Sequence, residues 1–155
     1  MTLRGFAAAF CFLWPNVSVA SDDVYCMAEA IYFEARNQTD IGQLAVAVVI
    51  RNRMDHPDYP NTACKVARQG RLSDGRLRRH QCQFSYYCDG KPETFEDLRA
   101  WEKAIDLAKM TLEAQLEIIG LDDATHYHAT YVHPDWANDL EPCTQIGDHR
   151  FYTKP

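Results

Sequence analysis

Apolar residues in this chain fall in blocks with different periods, and each block predicts an element. Val24, Met27, Ala28, Ile31 and Ala35 recur at i, i+3, i+4, i+7 and i+11, the spacing of a helix with one buried face. On that helix Glu29 points away from the stripe into solvent, whereas Glu34 lies at its edge, three residues after Ile31. The side chains of Ser21 to Asp23 can cap its start, and Asn37, which tolerates left-handed backbone, marks its end. The run Leu44 to Ile50 is apolar throughout and, taken alone, fits a buried strand as well as a helix. Asp40 with Gln43 at capping-box spacing, and the charged tail Arg51 to Asp55, point to a helix buried on most sides. A short helix is expected over 61–69, closed by Gly70. The cleanest stripe is Leu98, Trp101, Ile105, Ala108, Leu112 and Leu116, capped by Thr94 and ended by Gly120. Residues 71–93 show neither period and read as irregular. Residues 125–152, rich in His, Tyr and Trp, read as loops and short strands. The pattern predicts a mostly α (α+β) single domain with a small irregular or β region.

The first 20 residues change the domain boundaries. Arg4 precedes an apolar stretch from Phe6 to Trp14, and Ser18-Val19-Ala20 places small residues before Ser21. This is the pattern of a cleavable export signal, and its core is too short to span a bilayer. A lipid-anchor reading through Cys11 is weaker, because the bulky Phe10 precedes it. Residues 1–20 are therefore expected to be a signal peptide and 21–155 the functional domain, periplasmic or extracellular. No later segment is long enough to cross a membrane, and a monomer is expected. Export agrees with Cys26, Cys64, Cys82, Cys88 and Cys143, which would pair as disulfides in an oxidising compartment. Five is odd, and Cys143 is the one expected to be left over; the pairing itself stays open. The 16 basic and 22 acidic residues give a net charge of −6. Nucleic acid is thereby disfavoured as a partner, since phosphate-backbone affinity rests on clustered positive charge. The one basic cluster, Arg68, Arg71, Arg76, Arg78 and Arg79, reads either as a solvated loop or as a hold for anionic groups of a ligand.

Glu34 is the principal candidate for chemistry. A carboxylate bordering a buried stripe loses hydration, and its pKa rises. A carboxylic acid that stays protonated near neutral pH suits general acid catalysis. The alternative is a structural Glu paired with Arg36 or Arg51. Asp40, Asp55, Asp89 and Asp135 are further carboxylates that could reach the same cleft. His126, His128, His133 and His149 raise a zinc site as a second hypothesis, but their spacing supplies no diagnostic third ligand, and no metal or cofactor is expected. Of the aromatics Tyr86, Tyr87, Tyr127, Tyr131 and Trp136, the two placed in the cleft are Tyr127 and Trp136.

Four segments in order carry a resemblance. Ile31-Tyr32-Phe33-Glu34-Ala35-Arg36, then Gly42 to Arg53, then Gln83-Phe84-Ser85, then Ile146-Gly147-Asp148-His149-Arg150-Phe151-Tyr152 resemble the bacterial cell wall hydrolases of the spore-cortex-lytic-enzyme type. The resemblance implies a lysozyme-like, lytic-transglycosylase-like domain acting on the glycan strands of peptidoglycan. It places the family's general acid on Glu34 and implies substrate contacts from Gln83 and Ser85; Tyr127, Trp136 and His149 complete the expected substrate-binding set. The sequence departs from the family at Asn37 and Gln38, where Gly and Glu are common. Gln38 removes a second carboxylate. Glycosidases that use water ordinarily need two carboxylates, so the departure points to a lytic transglycosylase, in which one Glu serves as acid and then as base. A muramidase, a glucosaminidase or a non-catalytic peptidoglycan-binding module are the alternatives.

Overall fold

The computed structural model describes residues 21–114 and 116–154; the expected signal peptide, 1–20, lies outside the described residues. The helices are α1 (Ser21–Ala35), α2 (Asp40–Asp55), α3 (Ala63–Ala67) and α4 (Leu98–Ala114). The strands are β1 (Gly70–Ser73), β2 (Arg76–Cys82), β3 (Ala124–Ala129), β4 (Glu141–Ile146) and β5 (His149–Thr153). One-turn 3-10 helices occupy Ser85–Cys88 and Asp135–Asn138. The strands form a β1–β2 hairpin and a separate antiparallel sheet in the order β3-β5-β4.

The apolar run at 44–50 is helical, and its lack of a polar face has a structural reason. Val46, Ala47 and Ile50 pack into a core with α1, α3, α4 and Phe84. Ala45, Val48 and Val49 pack into a second core with Leu121, Ala124 and Phe151 beneath the sheet. The helix thus lies between two cores and buries residues on both sides, which a one-sided stripe could not do. Its cap is Thr39, whose hydroxyl accepts from the Gly42 N–H at 3.4 Å, rather than Asp40. Gln43 does not complete a capping box; its amide donates to the carbonyls of Arg36 and Gln38 and holds the α1–α2 turn.

The last turn of α2 ties the helical and sheet halves together. Arg51 donates to the Leu112 carbonyl at 3.3 Å, at the end of α4. Asn52 donates to the Leu121 and Ala124 carbonyls at 2.7 and 2.9 Å, just before and at the start of β3. Arg53 donates from Nε to the Thr125 carbonyl at 2.6 Å. These carbonyls lie where regular backbone pairing is incomplete, so side chains must satisfy them.

Several expectations need correction. Glu29 is buried, at 7% exposure, rather than facing solvent. The 3-10 turn after β2 places Tyr86 on that side of α1, and the charges of Arg68, after α3, and of Glu93 lie close to Glu29 as well. The stripe of α4 is shorter than its period suggests. Leu98 is 67% exposed, Leu116 lies beyond the helix, and the cap is Asp97, whose carboxylate accepts from the Ala100 N–H. Residues 71–93 are not wholly irregular, because Asp74-Gly75 turns β1 into β2 with both φ positive, at 53° and 74°. That is the geometry of a two-residue hairpin turn matched to strand twist. The cysteines pair as Cys26–Cys64 and Cys82–Cys88, and Cys143 is the free one among the described residues.

Candidate active site

Glu34 sits in the last turn of α1, three residues beyond the fully buried Ile31. Its carboxylate is reached from two directions. Phe84, 1% exposed, anchors the segment before the 3-10 turn in the core, and the Cys82–Cys88 disulfide closes that segment into a small loop. The loop presents the Ser85 N–H to Glu34 Oε1 at 3.1 Å, with the Ser85 hydroxyl at 3.4 Å from the same oxygen. From the sheet, the Tyr127 hydroxyl donates to Oε2 at 3.4 Å. Burial pushes the Glu34 pKa above the usual carboxylate range, and the donors from Ser85 and Tyr127 partly offset that rise. The alternative ion pairs do not form. Arg36 lies over the Tyr32 ring at 5.0 Å, and Arg51 pairs with Asp55 at 2.8 Å.

A cleft of about 720 Å³ opens in front of Glu34. Its lining contains all six residues expected from sequence: Glu34, Gln83, Ser85, Tyr127, Trp136 and His149. Gln83 and Ser85 are exposed on the loop wall. Trp136 packs edge-on against Tyr152, 5.7 Å between centroids, and lies beside His126 and His128, so part of its ring belongs to the sheet's packing. Tyr127 is not a free platform either, because its ring lies against His149 and Phe151 while its hydroxyl is engaged by Glu34. Burial and the Glu34 charge raise the Tyr127 phenol well above its ordinary pKa, so it acts as a donor.

Among the described residues, Glu34 is the only carboxylate in the lining of this cleft. Asp40 pairs with Lys103 and Asp55 with Arg51, away from the cleft. Asp89 accepts from the Lys91 N–H at 2.7 Å, and Asp135 opens the second 3-10 turn; neither lines the cleft. The Gln38 side chain is also elsewhere. It forms a reciprocal pair with Asp148, donating from Nε2 to the carboxylate at 3.0 Å and accepting from the backbone N–H at 3.2 Å. Gly147, at φ 55°, makes room for it, because a Cβ there would stand 2.5 Å from Gln38 Oε1. The amide locks the α1–α2 turn to the β4–β5 turn.

The histidines do not converge on a common point. Among the described residues no group of three or more His, Cys, Asp or Glu is arranged to hold a metal. His128 is spanned by the Ala129 carbonyl and the Tyr152 hydroxyl, both at 2.8 Å. His126 contacts the Thr125 hydroxyl at 3.0 Å, and burial lowers its pKa to about 4. His133 contacts Asn138 outside the cleft. Two further residues of the lining lie outside the expected substrate-binding set. Tyr131, 85% exposed, is one aromatic among several there. Arg53 is buried, with Nη1 unpaired and its guanidinium facing the Tyr59 and Phe84 rings. A cation placed shortly after a long apolar run is its signal.

Residues 37–152, well over half of the chain, match the family model described as Cell Wall Hydrolase. The chain belongs to the cell wall hydrolase family. Glu34 lies just ahead of the matched span. Among relatives, the spore cortex-lytic enzyme of Oceanobacillus iheyensis is 30% identical over 146 residues, covering 88% of this chain and 45% of that protein. That of Halalkalibacterium halodurans is 43% identical over 47 residues, 30% of this chain and 14% of that protein. The chain spans less than half the length of these relatives. Among solved structures, the catalytic domain of the germination-specific lytic transglycosylase SleB from Bacillus anthracis is similar with a TM-score of 0.64 and 26% identity. That likeness covers 90% of this chain and all of the other. The catalytic domain of the Bacillus cereus SleB protein gives a TM-score of 0.62 at 25% identity, over 90% of this chain and 94% of that one. The lysozyme-like, mostly helical fold expected from sequence is the one observed.

Proposed function

We propose that this chain cleaves the glycan strands of peptidoglycan as a lytic transglycosylase, with Glu34 as both acid and base. The observation that carries the reading is that Glu34 is the single carboxylate lining the cleft among the described residues. The family and the lytic transglycosylase domain of B. anthracis support the substrate class. In the first step the protonated Glu34 gives its proton to the bridging oxygen as the bond from the anomeric carbon to that oxygen breaks. Burial raises its pKa and so favours the protonated form that the step requires. The resulting carboxylate is held by the Ser85 N–H and hydroxyl and by Tyr127. It then takes the proton from the sugar's own 6-hydroxyl, whose oxygen bonds to the anomeric carbon. Glu34 is thereby reprotonated, a 1,6-anhydro end is formed and no water is consumed. Gln83, Ser85, Trp136 and His149 bind the strand along the cleft walls. The two disulfides, Cys26–Cys64 and Cys82–Cys88, support action outside the cytoplasm after loss of residues 1–20.

The test is Glu34→Gln. The variant keeps the side chain's shape and the Ser85 contact but has no acidic proton to give. It is expected to fold normally and to release less than about a thousandth of the wild-type soluble fragments. Residual turnover near the wild-type rate would remove Glu34 from the mechanism.

A further inference from the structure

A second groove, of about 900 Å³, lies between α3 and the β1–β2 hairpin. Its lining includes Lys65, Arg68, Arg71, Gln69 and Gln81, and no acidic residue among those described. It shares the lining residues Cys82 and Gln83 with the cleft of Glu34, so the two grooves border the same segment of the disulfide-closed loop. The chain as a whole carries more acid than base. Even so, Lys65, Arg68 and Arg71 enter none of the ion pairs found among the described residues. Arg68 is held over the Tyr87 ring at 5.7 Å and also answers the charge of Glu29 behind it. Lys65 and Arg71 are exposed. Gln69 adds an acceptor, since its side-chain oxygen is buried with no donor. Gln69 is itself part of the groove's lining.

We propose that this groove is a subsite for the carboxylate-bearing peptide attached to the glycan, with Lys65 and Arg71 binding its carboxylates and Gln69 an amide N–H. The inference rests on the reading of the cleft as a glycan site. Cations outside those ion pairs, an unpaired amide acceptor and a position next to the cleft match the chemistry of a short acidic peptide branching from a sugar strand. The groove's size is that of ordinary small-ligand sites, and its electrostatic share weakens with salt.

Two measurements test the proposal separately from the cleft's own chemistry. In the first, Glu34→Gln protein is titrated with a free acidic stem peptide and with the same peptide amidated at its carboxylates, followed by amide chemical shifts. Shifts at Gln69, Leu72 and Leu77 with the acidic peptide alone are expected; equal responses to both peptides, or none, overturn the proposal. In the second, the Lys65→Glu/Arg71→Glu variant is compared with wild type on intact strands and on strands stripped of peptides by an amidase. The expected result is a loss of about tenfold in kcat/KM on intact strands, the size of two exposed ion pairs reversed in sign, with unchanged turnover of stripped strands. The Lys65→Arg/Arg71→Lys variant should retain most of the wild-type preference. Equal losses on both substrates, or no loss on either, overturn the subsite. Wild-type protein inert on both substrates would sink the glycan reading, while the peptide titration would still decide the groove.

Discussion

Replacing Tyr127 by Phe removes one oxygen from the environment of Glu34 and little else. The ring stays packed against His149 and Phe151, at centroid distances of 5.1 and 5.7 Å. The lost contact is the hydroxyl's hydrogen bond to Glu34 Oε2 at 3.4 Å. A well-formed hydrogen bond to a charged group contributes about 1.5–3 kcal/mol, and at this length about 1 kcal/mol is a fair share. The bond favours the ionised carboxylate, so its loss raises a pKa that burial has already raised. At about 1.36 kcal/mol per factor of ten, its loss disfavours the ionised form about fivefold. A general acid is active while protonated. The alkaline limb of the kcat/KM profile, followed by release of soluble fragments, should therefore move to higher pH. The maximum rate should fall several-fold, because the carboxylate formed in the first step loses a donor. A limb that stays in place or moves to lower pH would refute the claim that Tyr127 stabilises ionised Glu34.

Other perturbations test other parts of the account. Gln38→Glu exchanges the amide donor for a like charge beside Asp148; a loss of about 1 kcal/mol at pH 7 is expected by denaturant unfolding, shrinking on acidification. Cys82→Ser/Cys88→Ser releases the loop that carries Ser85; a stability loss of about 2 kcal/mol is expected from loop entropy, with a larger proportional loss of turnover. Unchanged kcat in that variant would show that the disulfide does not hold the Ser85 contact. Glu29 is buried and its folded-state pKa is raised, first by burial and then by the Glu93 charge. Its contribution to stability is therefore full below the ordinary Glu pKa and is lost as pH rises through the raised one. Glu29→Gln should raise Tm by about 3 °C near neutral pH and leave it unchanged below about pH 4.

What can be read from sequence follows how local each signal is. The α1 stripe puts Glu34 at the edge of a buried face, and there it lies. The run at 44–50 reads as a helix once its flanks are weighed, but the reason for its apolarity is not local, since the second core beneath the sheet is built by Leu121, Ala124 and Phe151, far along the chain. Glu29 escapes a helical wheel for the same reason. Its position faces away from the stripe, but a loop some 50 residues later covers it, and a wheel cannot register that cover. The β1–β2 hairpin is legible in Asp74-Gly75, a dipeptide suited to a tight turn, but the strands beside it are charged and exposed and carry no apolar alternation. Gln83, Ser85 and His149 come from the family motifs rather than from periodicity, and Tyr127 and Trp136 from their aromatic chemistry. The role of Gln38 is not legible at all, because its partner Asp148 is 110 residues away.

The central claim is that one carboxylate acts twice and water takes no part. Digestion of purified peptidoglycan in ¹⁸O-enriched water, followed by mass spectrometry of the fragments, tests it most directly. Glu34 working alone requires 1,6-anhydro ends that carry no label. Reducing ends that each carry one ¹⁸O, whether on N-acetylmuramic acid or on N-acetylglucosamine, would mean that water is the acceptor and would contradict the account.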